Sequence, residues 1–258
     1  MILYSWEEFL KGSEGPPWSV TVGVFDGVHL GHKRLIQRVR EMEPQASSAV
    51  VTFRDNPKRV LHPASYRGSL MTLEQKLDAL EACGLGACVL IDFSADFGTL
   101  SGAAFLAGLA AAGTRYLSIG PNFRCGHRMD ADAEAVEKIC ASLGIRTGIV
   151  EPLMRGSHPI SSSRIRNAIL EGRLDEAEAM LGRPYSLALE GEWSQEAGGW
   201  AVEVAEGAVL PPEGLYSVAP PGRGIRSVSL LRNRRLFIEG VDPRGVRELF
   251  IIDSVERE

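Results

Sequence analysis

Gly23-Val24-Phe25-Asp26-Gly27-Val28-His29-Leu30-Gly31-His32 is the stretch on which the fold turns. Before it, Trp18-Ser19-Val20-Thr21-Val22-Gly23-Val24 reads as a buried strand. After it, Leu30, Leu35, Ile36 and Val39 recur at helical spacing until Pro44 stops the helix. The stretch is therefore the turn of a strand, loop and helix unit. The alternation continues with a strand over 49–53, a helix over 72–83, a strand over 87–92, a helix over 101–112, a strand over 115–119, a helix over 131–143 and a strand over 145–150. Such alternation implies right-handed crossovers and a parallel sheet covered on both faces, a doubly wound, Rossmann-like α/β domain. Helices over 162–171 and 174–181, ended by Gly172 and Gly182, complete it.

After Pro184 the texture changes. Residues 198–205, 226–231, 235–239 and 248–252 read as short strands between Pro- and Gly-rich turns, the first with Trp200, Val202 and Val204 alternating against Ala201, Glu203 and Ala205. The expected organisation is an α/β domain over 1–184 and a small β-sheet or barrel over 185–258. With 258 residues, 45% hydrophobic and 24% charged, the chain has globular composition. It has no apolar run near the ~18 residues of a membrane helix. The opening Met1-Ile2-Leu3-Tyr4-Ser5-Trp6-Glu7-Glu8 lacks a basic region followed by an apolar one, so a soluble, cytoplasmic protein with no membrane partner is expected. Cys83, Cys88, Cys125 and Cys140 form no CxxC pair and read as reduced, partly buried thiols. A net charge of -5 argues against a nucleic-acid partner.

The turn itself carries chemistry. At the carboxyl end of a parallel strand, where a helix begins, unpaired N–H groups attract phosphate. His29 and His32, three apart, share one face of the incoming helix turn and can donate to phosphate oxygens. Gly31 between them removes a Cβ that would block a nucleobase or ribose from the backbone. The pattern suits a nucleoside triphosphate; the bland alternative is a pair of histidines that merely cap a helix. Neither GxxxxGK[ST] nor GxGxxG occurs, which disfavours a P-loop kinase and a nicotinamide dehydrogenase.

Two further clusters point the same way. Ile160-Ser161-Ser162-Ser163-Arg164-Ile165-Arg166 enters a helix after Pro159. The hydroxyls cap free N–H groups, but cations in a first turn oppose the helix dipole, a cost that an anionic ligand such as a triphosphate tail or leaving pyrophosphate would offset. Gly120-Pro121-Asn122-Phe123-Arg124-Cys125-Gly126-His127-Arg128 follows the fourth strand and offers an aromatic ring and two arginines to a planar, phosphorylated acceptor. The alternative there is a connecting loop with solvated arginines. Thr52-Phe53-Arg54-Asp55-Asn56-Pro57 follows the second strand and reaches the same rim. No Asp/Glu pair is spaced as a metal cage, so Mg²⁺ is expected to arrive with the nucleotide phosphates.

Together these residues resemble the bacterial bifunctional riboflavin kinase/FMN adenylyltransferase (FAD synthetase) family, within the larger group of HxGH nucleotidyltransferases. GVFDGVHLGH over 23–32 is similar to the family's first nucleotide motif, ISSSRIR over 160–166 to its ISSTxIR motif, GPNFRCG over 120–126 to its GxDFRFG segment, and LGRPYSL over 181–187 to the junction into its kinase domain. The resemblance spans about residues 18–187. It implies a Rossmann-like nucleotidyltransferase domain followed by a remnant of a riboflavin kinase-like barrel, with ATP and FMN as substrates and transfer of AMP to FMN with release of pyrophosphate. It implies that ATP lies over Gly23, Phe25, Asp26, Gly27, His29, Gly31 and His32, that Ser161, Ser162, Ser163 and Arg166 hold its outer phosphates, and that Asn56, Pro57, Asn122, Phe123, Arg124 and Arg128 serve the acceptor. His29, His32 and Arg166 are the expected catalytic groups, acting with the helix N-terminus and Mg²⁺. Asn56 stands where the family has histidine and Asn122 where aspartate is common, which implies retuned acceptor binding. The kinase domain's PTAN signature is missing and only Pro212-Glu213-Gly214-Leu215-Tyr216-Ser217-Val218 is similar to its PxGVYxV strand, so riboflavin kinase activity is expected to be lost. The alternatives are another HxGH adenylyl- or cytidylyltransferase, a still bifunctional enzyme, and a regulator that binds nucleotide or flavin without turning it over.

Overall fold

In the computed structural model, residues 1–12, 15–42, 45–94, 96–221 and 227–255 are described; Pro44, the expected helix stop, and Arg226, the expected start of a strand, lie outside them. The chain groups into two units, Met1–Ala64 with Leu77–Pro159, and Ser65–Lys76 with Ile160–Glu258. None of the described helices is long and apolar enough to cross a membrane.

The elements run β1 (Ile2–Ser5), α1 (Trp6–Leu10), β2 (Trp18–Val22), α2 (Leu30–Met42), β3 (Ser47–Phe53), α3 (Pro57–Leu61), α4 (Leu73–Ala82), β4 (Ala87–Ile91), α5 (Gly102–Ala111), β5 (Thr114–Ile119), β6 (Arg124–Cys125), β7 (Ala131–Asp132), α6 (Ala133–Ser142), β8 (Arg146–Ile149), β9 (Met154–Arg155) and β10 (His158–Pro159). Six strands form one sheet in the order β1-β4-β3-β2-β5-β8, every pair parallel. This is the expected α/β architecture. Trp18, Val20 and Val22 alternate onto one face, where they join Val51, Val89, Leu117 and Ile119 in a core covered by Trp6, Phe9, Phe105, Leu109, Val136 and Cys140. Ser19 and Thr21 fall on the other face, in register with Tyr116 and Ser118, and Ser19 Oγ donates to the carbonyl of Val39 in α2 at 2.6 Å. Each large aliphatic buried here contributes about 1.5–3 kcal/mol.

Four short features were absent from the sequence reading: β1 with α1, α3, the β6/β7 pair and the β9/β10 hairpin. The chain leaves β2 for β3 on one side and returns through β5 on the other. The strand order thus reverses between β2 and β5, and in open α/β sheets ligands bind outside the carboxyl ends of the strands at that reversal.

In the second unit α7 (Ser162–Leu170) and α8 (Leu174–Leu181) precede β11 (Tyr185–Glu196), β12 (Gly199–Val204), β13 (Gly214–Ala219), β14 (Ser227–Arg232), β15 (Arg235–Glu239) and β16 (Glu248–Ser254). Gly182 ends α8 at φ 73°, a left-handed C-cap. The six strands close an antiparallel barrel in the order β11-β12-β15-β14-β13-β16. Leu187, Val204, Val218, Leu231, Leu236, Ile238, Leu249 and Ile251 are buried in it. Periodicity led to four strands here and six form; β11 is additional, and β13 overlaps the 212–218 stretch that is similar to a family strand. The change from helices to strands falls between α8 and β11, and α7 and α8 group with the barrel.

Candidate active site

The turn after β2 is built around unusual backbone. Phe25 sits at φ 52° and Val28 at φ 36°, the left-handed region that a β-branched side chain strongly disfavours, and Gly27 at φ 89°. Such conformations cost on the order of 1–3 kcal/mol each and persist only when the surroundings hold them. Here the surroundings do: Phe25 and Val28 are fully buried, Gly23 N–H donates to the Val51 carbonyl at 3.1 Å, Val28 N–H to the Phe25 carbonyl at 3.2 Å, and Thr52 Oγ1 to the Val24 carbonyl at 3.1 Å.

His29 and His32 emerge from this turn as a stacked pair, ring centroids 3.6 Å apart and 15° from parallel, with Phe25 4.9 Å from His32 at 51°. His29 Nδ1 accepts the backbone N–H of His32 at 3.3 Å. An imidazole that accepts at Nδ1 carries its hydrogen at Nε2 when neutral, so the bond sets His29 as an Nε2 donor. His29 is 5% exposed and Asp26 6%, so both are held inside the turn. The 13-residue α2 begins immediately after, with the positive end of its dipole at the histidines.

Two other predicted segments lie at the carboxyl ends of the strands that flank β2. After β5, Asn122, Arg124 and Arg128 are exposed and Phe123 is half-buried against the core. Arg124 and Cys125 pair with Asp132 and Ala131, and the loop is tied to α5: His127 N–H donates to the Leu100 carbonyl at 2.8 Å and Asp130 Oδ1 accepts from Gly102 N–H at 2.9 Å. A Cβ on Gly126, at φ 85°, would lie 2.0 Å from Asp130 Oδ1. Burial pushes the Cys125 thiol up to about 12, with Asp130 and Cys140 adding to the shift. After β3, Asn56 caps α3, its Oδ1 accepting from Lys58 N–H at 3.1 Å, with Pro57 in the first helical position.

The sequence reading missed an aromatic group on this rim. Phe53, Phe93 and Phe97 meet edge to face at centroid distances of 5.8, 6.3 and 6.0 Å, and Phe97 continues into Trp6 and Phe105. Phe93 follows β4 in a connecting segment and Phe97 opens a single 3-10 turn over Phe97–Thr99, so no periodicity marked them. Among the described residues no group of three or more His, Cys, Asp or Glu is placed to hold a metal ion.

Ser161–Arg166 opens α7 in the second unit. Ser161 is the N-cap, its Oγ accepting from Arg164 N–H at 3.3 Å, and Ser162 and Ser163 are the first two helical residues. The two arginines differ. Arg164 pairs with Glu176 of α8 at 3.3 Å, a carboxylate that Arg173 also engages. Arg166 Nε donates to the Gly68 carbonyl at 2.9 Å.

A model of the FAD synthetase family matches residues 13–164. The bifunctional riboflavin kinase/FMN adenylyltransferase of Listeria monocytogenes is 30% identical over 77% of this chain and 66% of that protein, and the Escherichia coli K12 protein of the same name is 28% identical over 65% of this chain and 55% of that one. The matched region thus spans between about half and two thirds of the length of these relatives. The crystal structure of a Streptococcus pneumoniae protein described as macrolide-efflux protein superposes with a TM-score of 0.86 at 22% identity, covering 100% of this chain and 92% of that one, which is a likeness of fold. The stacked histidine turn after β2 lies inside the matched stretch, and with more than half of the sequence accounted for by that model the chain belongs to the FAD synthetase family.

Proposed function

We propose that the chain is an FMN adenylyltransferase: a terminal phosphate oxygen of FMN attacks the α-phosphorus of ATP in line, the bond from that phosphorus to the bridging oxygen of the β-phosphate breaks, and FAD and pyrophosphate leave. The observation that carries the reading is the His29/His32 stack at the strand-order reversal, with His29 fixed as an Nε2 donor. Donors held in advance toward developing charge do not reorganise as it develops, which is where most of such catalysis arises. No side-chain nucleophile is needed. Gly23, Phe25, Asp26, Gly27 and Gly31 line the nucleotide, His29 and His32 meet the phosphates, and Ser162, Ser163 and Arg166 serve the outer phosphates. The Phe53/Phe93/Phe97 group and Phe123 offer apolar edges to the flavin ring, beside Asn122, Arg124 and Arg128, while Asn56 serves the acceptor through an amide already used in capping.

Mg²⁺ would arrive with the nucleotide and, when bound, neutralise phosphate charge. Residues 1–184 form the transferase domain and 185–258 a barrel without riboflavin kinase activity; the missing PTAN signature supports this. The protein works in the cytoplasm on small molecules alone. The test is incubation with ATP and Mg²⁺ plus FMN or riboflavin, with flavins separated by chromatography. FAD from FMN alone is expected. FMN formed from riboflavin contradicts the inactive barrel, and no FAD from FMN contradicts the transfer.

A further inference from the structure

Residues 65–76, far in sequence from both α7 and the barrel, are bound to each. Ser69 N–H donates to the Gly207 carbonyl at 2.8 Å and Val209 N–H donates back to the Ser69 carbonyl at 3.1 Å, a one-residue parallel bridge opposite Ala208. Further along, Gln75 Nε2 donates to Ser186 Oγ at 3.2 Å and to Glu248 at 2.7 Å, on β11 and β16. On the α7 side, Arg67 reaches Asn167 Oδ1 at 3.5 Å, and the Gly68 carbonyl takes the Nε–H of Arg166 at 2.9 Å.

Gly68 is the point where these attachments meet. Its φ of +92° is one that L side chains rarely adopt, and a Cβ there would stand 2.7 Å from the Gly207 carbonyl oxygen and 3.3 Å from Val209. The segment is therefore pressed against the barrel at the residue whose carbonyl faces Arg166. A bond at Nε fixes the plane of a guanidinium, because the delocalised fork is rigid and turns only about its stem.

We propose that Gly68 is a positioning residue for adenylyl transfer: seated on the barrel at Gly207–Val209, it orients the Arg166 guanidinium through its carbonyl, so that the barrel serves the transfer reaction without any chemistry of its own. This rests on the role given to Arg166 above. Arginine recognises phosphate through a planar, bidentate fork, so its orientation decides its worth, and a misplacement of about 1 Å can cost on the order of 10²-fold in rate.

The test is a double-mutant cycle on the full chain, reading kcat and the KM for ATP in FAD formation. Gly68→Ala is expected to lower kcat about 10- to 100-fold with ATP KM moved less than about threefold. In an Arg166→Ala background the same change is expected to add less than about threefold, because residues acting through one another are not additive. Equal losses in the two backgrounds overturn the positioning role while leaving Arg166 in place. An Arg166→Ala variant with unchanged kcat and KM overturns the reading of Arg166 itself. Should Gly68→Ala fail to fold, Arg166→Lys decides: it keeps the charge, leaves the segment untouched and removes the planar Nε donor. A kcat loss within about threefold of that in Arg166→Ala is expected, and wild-type kcat overturns the proposal.

Discussion

The turn at 23–32 and the helix start at 161–166 present polar side chains by opposite means. In the turn, His29 and His32 are fixed by each other, by Phe25 and by a backbone that packing forces into the left-handed region at Val28. The turn is also bonded to the adjacent strand β3, through Thr52 and Val51. At the helix start, Arg164 and Arg166 take partners 12 and 98 residues away, and those partners give two similar arginines different work. A motif held by its own packing keeps its meaning wherever the strand and helix form. A motif held by remote partners takes its meaning from the rest of the fold.

His32→Ala removes both a phosphate donor and the lid of the stack, and is expected to lower kcat about 10²- to 10³-fold, the usual cost of one well-aimed donor. FMN affinity, measured by fluorescence quenching, is expected to change far less. Equal turnover in the variant would show that the stacked pair has no part in the transfer.

That difference also accounts for what the sequence could and could not disclose. Trp18–Val22 is buried on both faces and reads as a buried strand, and the helical spacing through Val39 reflects burial of one helix face, so the sheet and its crossovers were readable, as were the stops at Gly172 and Gly182. β11 was not, because only its first residues alternate. From Glu190 to Glu196 it is mostly exposed and polar, and it is held by main-chain pairing to β12 across a bulge. β1 is an edge strand with Ile2 and Leu3 half or more exposed, which erases the pattern there. At the site, the turn histidines were legible because they stand three apart in one short stretch between a strand and a helix. The Arg166 to Gly68 bond was not, since nothing near either residue signals the other. The cation against the dipole at Arg164 is a local anomaly that the sequence shows, whereas its pairing with Glu176 of α8 is not marked locally.

Ser161 sharpens the same contrast at the helix start, because capping and ligand binding can be separated there. Ser161→Asp keeps a side chain that caps as well as serine, so the melting temperature is expected to stay within about 2 °C. The added carboxylate meets the outer phosphates proposed for this end of α7, and KM for ATP is expected to rise at least about tenfold. An unchanged KM for ATP would place the triphosphate elsewhere, leaving Ser161 a cap alone.

The smallest effect concerns Cys125, in the loop after β5, which is tied to Leu100 and Gly102 and has Gly126 pressed against Asp130. Its thiol is raised to about 12, chiefly by burial. Only the thiolate reacts with iodoacetamide, so at pH 8 Cys125 in the native chain is expected to stay unmodified by mass spectrometry and to label at once in urea. The sign for stability follows. Below the unfolded thiol's value near 8.5 both states keep the proton and the contribution is complete. As pH rises from there toward 12 the unfolded chain ionises while the folded one does not, so stability is lost across that window, and Cys125→Ala is expected to flatten the alkaline limb of a pH–stability curve. Native labelling at pH 8 at the rate of an exposed thiol would mean that this loop opens, and that packing alone holds the turn at 23–32 but not its neighbour across the strand-order reversal.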